Sequence, residues 1–426
     1  MKFIRLLHNR YKGSKEIRLA ENYVSLSALQ VVNYLLPLVT LPYLVRVLGV
    51  EVYGLVMFAH AFIQYFVVLT DYGFNLSATR EIAVNRDDPD KVAAIFNGVM
   101  IIKSLLLLAG LLLLVALLVI VPKFQKDYLI FLITYGIVAG QVLFPVWFFQ
   151  GMEKMKYITM LNITAKVIFT VTLFIFVRNR DDYLLVPLLN SAGFIVAGCL
   201  SIWIVFRRFK VKPILPRMPQ LIGQLRQSGQ FFLSRVSVSL YTSSNTFILG
   251  LLVGNTAAGY YAAAEQLYKG MQGVFVPLAN ALYPFVSKER NIALFRKIYV
   301  GAMSAASVIA AIAFAFSGPI TSLIFGAGFE PAADLLRLFA LLILINVASV
   351  LIGYPFLAAL DHSRYANFSV VAGSICHVLL LLIAIPFINI YWVAIITIIT
   401  ESIVLAIRAY GVRKYHLWRV ACKPSF

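Results

Sequence analysis

Apolar stretches of about 20 residues run the length of the chain, separated by short polar or basic segments. Six fall near 22–44, 54–78, 93–121, 128–149, 157–177 and 184–206. Six more fall near 228–250, 257–285, 298–325, 333–358, 367–388 and 391–410. A helix of about 20 residues crosses the roughly 30 Å hydrocarbon layer of a bilayer. The pattern therefore predicts an all-α polytopic membrane protein with twelve transmembrane helices. The second, seventh and eighth are the least apolar, and are expected to face protein or an aqueous cavity more than lipid.

Composition agrees. The 426 residues are 61% hydrophobic and 13% charged, where soluble chains are about 45–50% apolar and about 25% charged. Lipid accepts the apolar surface that water rejects. The first 20 residues are basic and polar and lack the short apolar core of a cleaved signal, so the first apolar stretch is expected to remain as a span.

The net charge of +19 would suggest nucleic acid in a soluble chain. Its placement says otherwise. With the N-terminus in the cytoplasm, 27 Lys and Arg fall inside and 5 outside, and both termini are cytoplasmic. Cytoplasmic loops are the ones that carry excess positive charge. No nucleic-acid partner is expected.

The two halves resemble each other. "LGVEVYG" at 48–54 sits between helices 1 and 2, and "VGNTAAG" at 253–259 between helices 7 and 8. Gly49 and Gly54 map onto Gly254 and Gly259 with one constant offset. The expected organisation is an N-terminal lobe at 1–206, a cytoplasmic linker at 207–222 and a C-terminal lobe with a basic tail at 223–426. Duplicated halves suit a transporter, because one half can rock against the other. Pro37 and Pro42 lie within the first apolar stretch, and Pro145, Pro277 and Pro284 within later ones. Each removes a backbone donor and perturbs its helix.

Charged side chains inside lipid-spanning segments are costly and usually face the bundle interior. The set here is Lys103, Lys166, Arg235, Glu265, Lys269, Arg337 and Glu401, with Asp71 near the end of helix 2. Lys103 is close enough to a helix end to snorkel, Arg337 is close to Asp334 and suits a boundary ion pair, and Asp71 suits an interfacial cap. Glu265 and Lys269 form an i,i+4 pair in the favourable order. Ser234, Ser237, Ser239, Thr242, Ser243, Ser244 and Asn245 make helix 7 a polar wall around Arg235. Positive charge exceeds negative within the spans, which favours an anion, and Lys and Arg are natural donors to phosphate oxygens. Tyr241 and Tyr268 could cover a sugar face while donating a hydrogen bond, although belt and core packing also explain them.

Enzyme signatures are thin. No nucleotide-binding phosphate loop is present, and the five histidines His8, His60, His362, His377 and His416 do not cluster in sequence. Cys199, Cys376 and Cys422 show neither metal spacing nor a disulfide framework. No catalytic residue, metal or cofactor is expected.

The stretch "NYLLPLVTLPYLVRVLGVEVYGLVMFAHAFIQYFVVLTDYGFNLSATREIA" resembles the polysaccharide transporter family, within the multidrug/oligosaccharidyl-lipid/polysaccharide exporters. "FFLSRVSVSLYTSSNTFILGLLVGNTAAGYYAAAEQLYKG" resembles the start of that family's second half. The likeness covers essentially the whole chain and extends to O-antigen flippases of the Wzx type. It implies two six-helix lobes around a central cavity, in the bacterial inner membrane. It implies translocation of an undecaprenyl-pyrophosphate-linked oligosaccharide from the cytoplasmic to the periplasmic leaflet. Membrane lipids, the polysaccharide polymerase and the chain-length regulator are candidate partners. By position, Arg46, Arg80, Lys166, Arg235, Lys269 and Arg337 are candidates for the basic cavity lining found in the family. Coupling to a proton or sodium gradient would place Asp71, Glu265 and Glu401 as the carboxylates to test. The rivals are a multidrug/cation antiporter, for which a net acidic cavity is expected, and an exopolysaccharide repeat-unit exporter. A lipid II flippase would normally carry further helices, and a membrane scaffold would not explain charges deep within the spans.

Overall fold

Hydrophobic spacing becomes helix throughout. The computed structural model describes residues 15–242 and 244–419, with side chains from Leu29 onward except at 233–235, 237–242 and 419. Among the described residues there is no strand. The helices are α1 (Lys15–Asp71), α2 (Phe74–Asn85), α3 (Pro89–Ile120), α4 (Tyr128–Leu143), α5 (Val146–Gly151), α6 (Met155–Phe176), α7 (Leu185–Arg208) and α8 (Met218–Thr242). They continue as α9 (Ser244–Leu252), α10 (Asn255–Gly273), α11 (Val276–Glu289), α12 (Ile292–Ala315), α13 (Ser317–Phe325), α14 (Glu330–Ile352), α15 (Ser363–Ala384) and α16 (Ile390–Lys414). Nine helical stretches among the described residues are long and apolar enough to cross a membrane.

The run of 57 residues in α1 is interrupted at one place. At 1.5 Å per residue a straight helix of this length would reach roughly 85 Å, far beyond a bilayer. Gly49 has φ 72° and ψ 164°, a conformation that glycine adopts without steric cost, and the helix turns there. Pro37 and Pro42 do not end the helix, contrary to the simplest reading of the sequence. The Thr40 hydroxyl between them donates to Leu36 O at 3.2 Å and Pro37 O at 3.3 Å. Pro145 does interrupt, separating α4 from α5.

The polar termini follow local rules. Asp88 caps α3, its carboxylate accepting the Lys91 backbone N–H at 3.1 Å, with Pro89 in the first turn. That hydrogen bond, with the Lys91 side chain, holds the Asp88 carboxyl below its ordinary range. Further along α3, Leu105, Leu108, Leu112, Val115 and Val119 form an exposed stripe at helical spacing. In water such a stripe would be a liability, whereas in hydrocarbon it is neutral.

The chain forms two compact units. The first comprises Met1–Asn33, Phe62–Arg178 and Asp182–Val236. Its core gathers Phe74, Phe96, Trp147, Phe148, Phe149 and their aliphatic neighbours. Within it, α4 and α7 are joined by hydroxyls: Ser191 donates to Ile133 O and Ser201 to Leu143 O, each at 2.9 Å. Small polar residues of this kind let membrane helices approach closely.

The second unit comprises Tyr34–Ala61, Asn179–Asp181 and Ser237–Phe426. Here the internal repeat has a geometric counterpart. A Cβ on Gly54 would lie 1.8 Å from Asn255 O, and one on Gly259 would lie 2.2 Å from Val50 O. Val50 and Asn255 stand in the same repeat relationship as Gly54 and Gly259. The two helix starts therefore meet backbone to backbone through equivalent contacts, possible only without side chains. Gly254, like Gly49, has positive φ, at 132°.

Candidate functional site

In the second unit, α10 carries a charged pair on one face. Lys269 Nζ lies 2.9 Å from Glu265 Oε2, and the two side chains are 44% and 19% exposed. One helical turn separates them, with the carboxylate nearer the N-terminus, the favourable order. The arrangement offers an exposed ammonium whose charge is offset within its own helix. It can give hydrogen bonds to an anion without leaving a lone buried charge.

Other candidate cations of this unit are engaged. The Arg46 guanidinium donates to Leu323 O, and to Ile324 O at 3.1 Å, capping the C-terminal end of α13. Carbonyls at a helix end lack intrahelical donors and carry partial negative charge, so a guanidinium suits them. Arg337 pairs with Asp334 at 2.7 Å, one turn away at the start of α14, both about half-exposed. Tyr268 is buried, its ring 5.5 Å from that of Phe339. Glu401 is buried on α16.

In the first unit, Lys103 Nζ lies 4.0 Å from Asp71 Oδ1. Lys103 is buried rather than snorkelling: its side chain is 5% exposed and that of Asp71 13%. Arg80 is exposed on α2, and Lys166 is half-buried on α6. The side chains of Arg235 and Tyr241 lie outside the described residues. Among the described residues, no group of three or more His, Cys, Asp or Glu side chains could hold a metal ion.

The second unit also contains a buried polar network centred on His377 of α15. Its Nδ1 lies 3.0 Å from Thr400 Oγ1 on α16, and its Nε2 lies 3.0 Å from Asn245 Oδ1 on α9. Asn245 Nδ2 donates to Tyr261 OH on α10 at 2.8 Å and to Thr397 Oγ1 at 3.0 Å. Four helices thus meet around one imidazole. A second buried polar group, Arg408, donates to Ser349 O, Ser349 Oγ and Ser369 Oγ at 2.7–3.0 Å.

The sequence profile described as "Polysaccharide biosynthesis protein" matches residues 19–290, well over half of the chain. The chain belongs to the polysaccharide biosynthesis protein family.

Two proteins described as "Putative O-antigen transporter" match it at similar levels. That of Escherichia coli (strain K12) is 29% identical over 414 residues, covering 95% of this chain and 99% of the relative. That of Shigella dysenteriae is 28% identical over 383 residues, covering 88% and 95%. An inward-facing multidrug resistance MATE family transporter of the MOP superfamily shares the fold with a TM-score of 0.68, 12% identity, and coverage of 91% of this chain and 96% of that chain. The lipid II flippase MurJ, in an inward closed conformation, gives 0.66, 13%, 93% and 87%. At such identities the likeness establishes fold alone. The chain is a multi-pass membrane protein with the MATE and MurJ type of transporter fold.

Within this family member the structure pairs Glu265 with Lys269 and Asp71 with Lys103, and ties Arg46 and Arg337 to local partners. Sequence reasoning missed the His377 network. Asn245 was assigned to a polar wall, yet it is buried among three other helices. A usable signal was the spacing of Thr397, Thr400 and Glu401 in an otherwise apolar span.

Proposed function

We propose that the chain is a flippase of the bacterial inner membrane, a transporter rather than an enzyme. Its substrate would be an undecaprenyl-pyrophosphate-linked O-antigen unit, carried from the cytoplasmic to the periplasmic leaflet by alternating access. The carrying observation is the match to the Escherichia coli relative across nearly the full length of both chains.

The twelve-pass topology with both termini inside belongs to this proposal. It follows if Leu29–Asn85 is counted as two passes divided at Gly49, and if the more polar runs 218–252 and 255–289 are added to the remaining eight stretches. The charge bias of the loops supports the same count. The lobes at 1–206 and 223–426, joined by the linker at 207–222, would then rock about the substrate.

The chemistry divides between solvent phases. The isoprenoid tail stays in lipid, while the pyrophosphate and sugars need a polar route. Lys269, with Arg235, Lys166 and Arg80 as further candidates, would lower the cost of bringing the anion across. Basic rather than acidic excess within the spans favours this reading over a cation antiporter. The polysaccharide polymerase and chain-length regulator remain candidate partners.

The test is a strain lacking this gene and any flippase able to substitute. Surface polysaccharide is assayed by gel, and the leaflet position of the lipid-linked unit is measured in spheroplasts. Loss of surface polymer, cytoplasmic-side accumulation and recovery on re-expression are expected. A normal polymer with a normal leaflet distribution rejects the flippase reading.

A further inference from the structure

We infer that His377 is a proton-binding site of the second unit, taking up a proton at Nδ1 and coupling its charge to the transport cycle. The inference rests, for the coupling alone, on the transport reading above; the site itself rests on hydrogen-bond parity.

The Thr397 hydroxyl donates its single hydrogen to Val393 O at 2.9 Å. With the hydrogen so placed, its oxygen accepts from Asn245 Nδ2, which also donates to Tyr261 OH. Asn245 Oδ1 then faces the ring, and an acceptor there requires a hydrogen on Nε2. In this arrangement that end of the imidazole is a donor.

The other end has a choice. Thr400 Oγ1 lies 3.0 Å from Nδ1 and 2.8 Å from Ile396 O, and a hydroxyl has one hydrogen for the two acceptors. If that hydrogen points to Nδ1, the ring is neutral. If it points to Ile396 O, the Thr400 oxygen is free to accept from Nδ1–H, and the ring is an imidazolium. Proton uptake puts the new N–H bond on the Nδ1 lone pair and turns the Thr400 hydrogen toward Ile396 O. Every donor and acceptor named here is satisfied in both states, and no heavy atom needs to move. A hydroxyl partner at Nδ1 thus accommodates both protonation states, where a carbonyl oxygen would accept only the N–H form.

The charged groups on the helices around the ring are Glu265 and Lys269 on α10 and Glu401, Arg408, Arg413 and Lys414 on α16; Arg364 lies on α15 itself. Tyr260, Tyr261 and Tyr268 on α10, Tyr354 on the turn after α14, Tyr365 and Cys376 on α15, and Tyr391 and Tyr410 on α16 are the other titratable groups of these elements. A proton on His377 adds one positive charge to this buried cluster. Thr397, Thr400 and Glu401 share α16, and Asn245 and Tyr261 sit on the helices that precede and follow the Gly254 break. A charge at the ring therefore acts on four helices at once.

The experiment uses the full chain, labelled with ¹⁵N-histidine and reconstituted in lipid nanodiscs. Ring nitrogens are read from about pH 5 to pH 8, the window in which histidine switches. The signal absent from His377→Gln is expected to pass from a neutral Nε2–H ring to a doubly protonated one. Thr400→Val removes only the hydroxyl, at nearly constant volume, and is expected to move the midpoint by roughly one pH unit, the scale of one charge-assisted hydrogen bond. A ring that keeps one protonation state throughout, or a midpoint unchanged in Thr400→Val, overturns the site. In the flippase-deleted strain, His377→Gln is expected to lower surface polymer at least several-fold and to abolish its dependence on external pH. Polymer equal to wild type at every pH overturns the coupling while leaving the flippase reading intact. A wild-type chain that fails to restore polymer overturns the transport reading and the coupling with it; the ring titration still decides the site.

Discussion

Lys103 and Asp71 face each other in the first unit, ammonium nitrogen to carboxylate oxygen at 4.0 Å, with the lysine all but excluded from solvent. The end of α1 is thereby tied to the middle of α3. Removing one partner of a buried pair leaves an uncompensated charge, at a cost of about 3–5 kcal/mol. Lys103→Met is expected to lower the thermal midpoint of the detergent-purified protein markedly. The double variant Lys103→Met with Asp71→Asn is expected to recover most of it. If the single variant unfolds at the wild-type temperature, the pair is not structural.

Much of this architecture was legible in the chain. The exposed stripe from Leu105 to Val119 announced a membrane helix, and the glycine repeat marked two helix starts that meet backbone to backbone. The Lys103 partner was not legible, because Asp71 lies on a different helix and no local spacing relates them. Lys103 was therefore given the generic fate of a lysine near a helix end. Arg337 and Glu265 were easier, since their partners Asp334 and Lys269 lie one turn away. His377 was hidden for the same reason as Lys103: its partners come from α9 and α16. Periodicity reports which face of a helix is apolar, and long-range polar contacts escape it.

The glycines at the two helix starts make a second prediction. At Gly54 and Gly259 an added methyl would collide with backbone oxygen, which cannot swing aside as a side chain can. Overpacking of this kind costs about 1–3 kcal/mol. Gly54→Ala and Gly259→Ala are each expected to destabilise the protein, and less than additively when combined, because one separation relieves both clashes. Gly301→Ala is the control: nothing lies within 4 Å of its added Cβ. In the interior of α12 this change is expected to be neutral or stabilising, by up to about 1 kcal/mol. Thermal unfolding of the four variants checks the order.

Arg408 offers a test of geometry against charge. Its guanidinium reaches Ser349 on α14 and Ser369 on α15, and a Cβ on Gly353 would sit 2.8 Å from Nη1. That glycine opens the π-helical turn Gly353–Ala358. A planar fork can span two helices where a point charge cannot. Arg408→Lys keeps the charge, yet is expected to lose about 1.5–3 kcal/mol, the worth of a hydrogen bond to a charged group. Equal stability of the lysine variant would show that charge alone suffices there.

The Glu265–Lys269 pair distinguishes a structural ion pair from a substrate contact. Lys269 is 44% exposed, so as a bond holding α10 the pair is worth little, on the order of 0.5 kcal/mol. Lys269→Ala is therefore expected to leave the folded fraction nearly unchanged. If Lys269 meets the pyrophosphate, the same variant slows export, read as accumulation of the lipid-linked unit on the cytoplasmic side. The exchange Glu265→Lys with Lys269→Glu separates the two roles. It preserves an ion pair of the same spacing and inverts its polarity along the helix. A purely structural pair tolerates that inversion within a few tenths of a kcal/mol, and export then stays near wild type in both the exchanged protein and Lys269→Ala. An ammonium placed for an anion is not restored by a carboxylate in its position, so export in the exchanged protein stays as low as in Lys269→Ala, or falls below it.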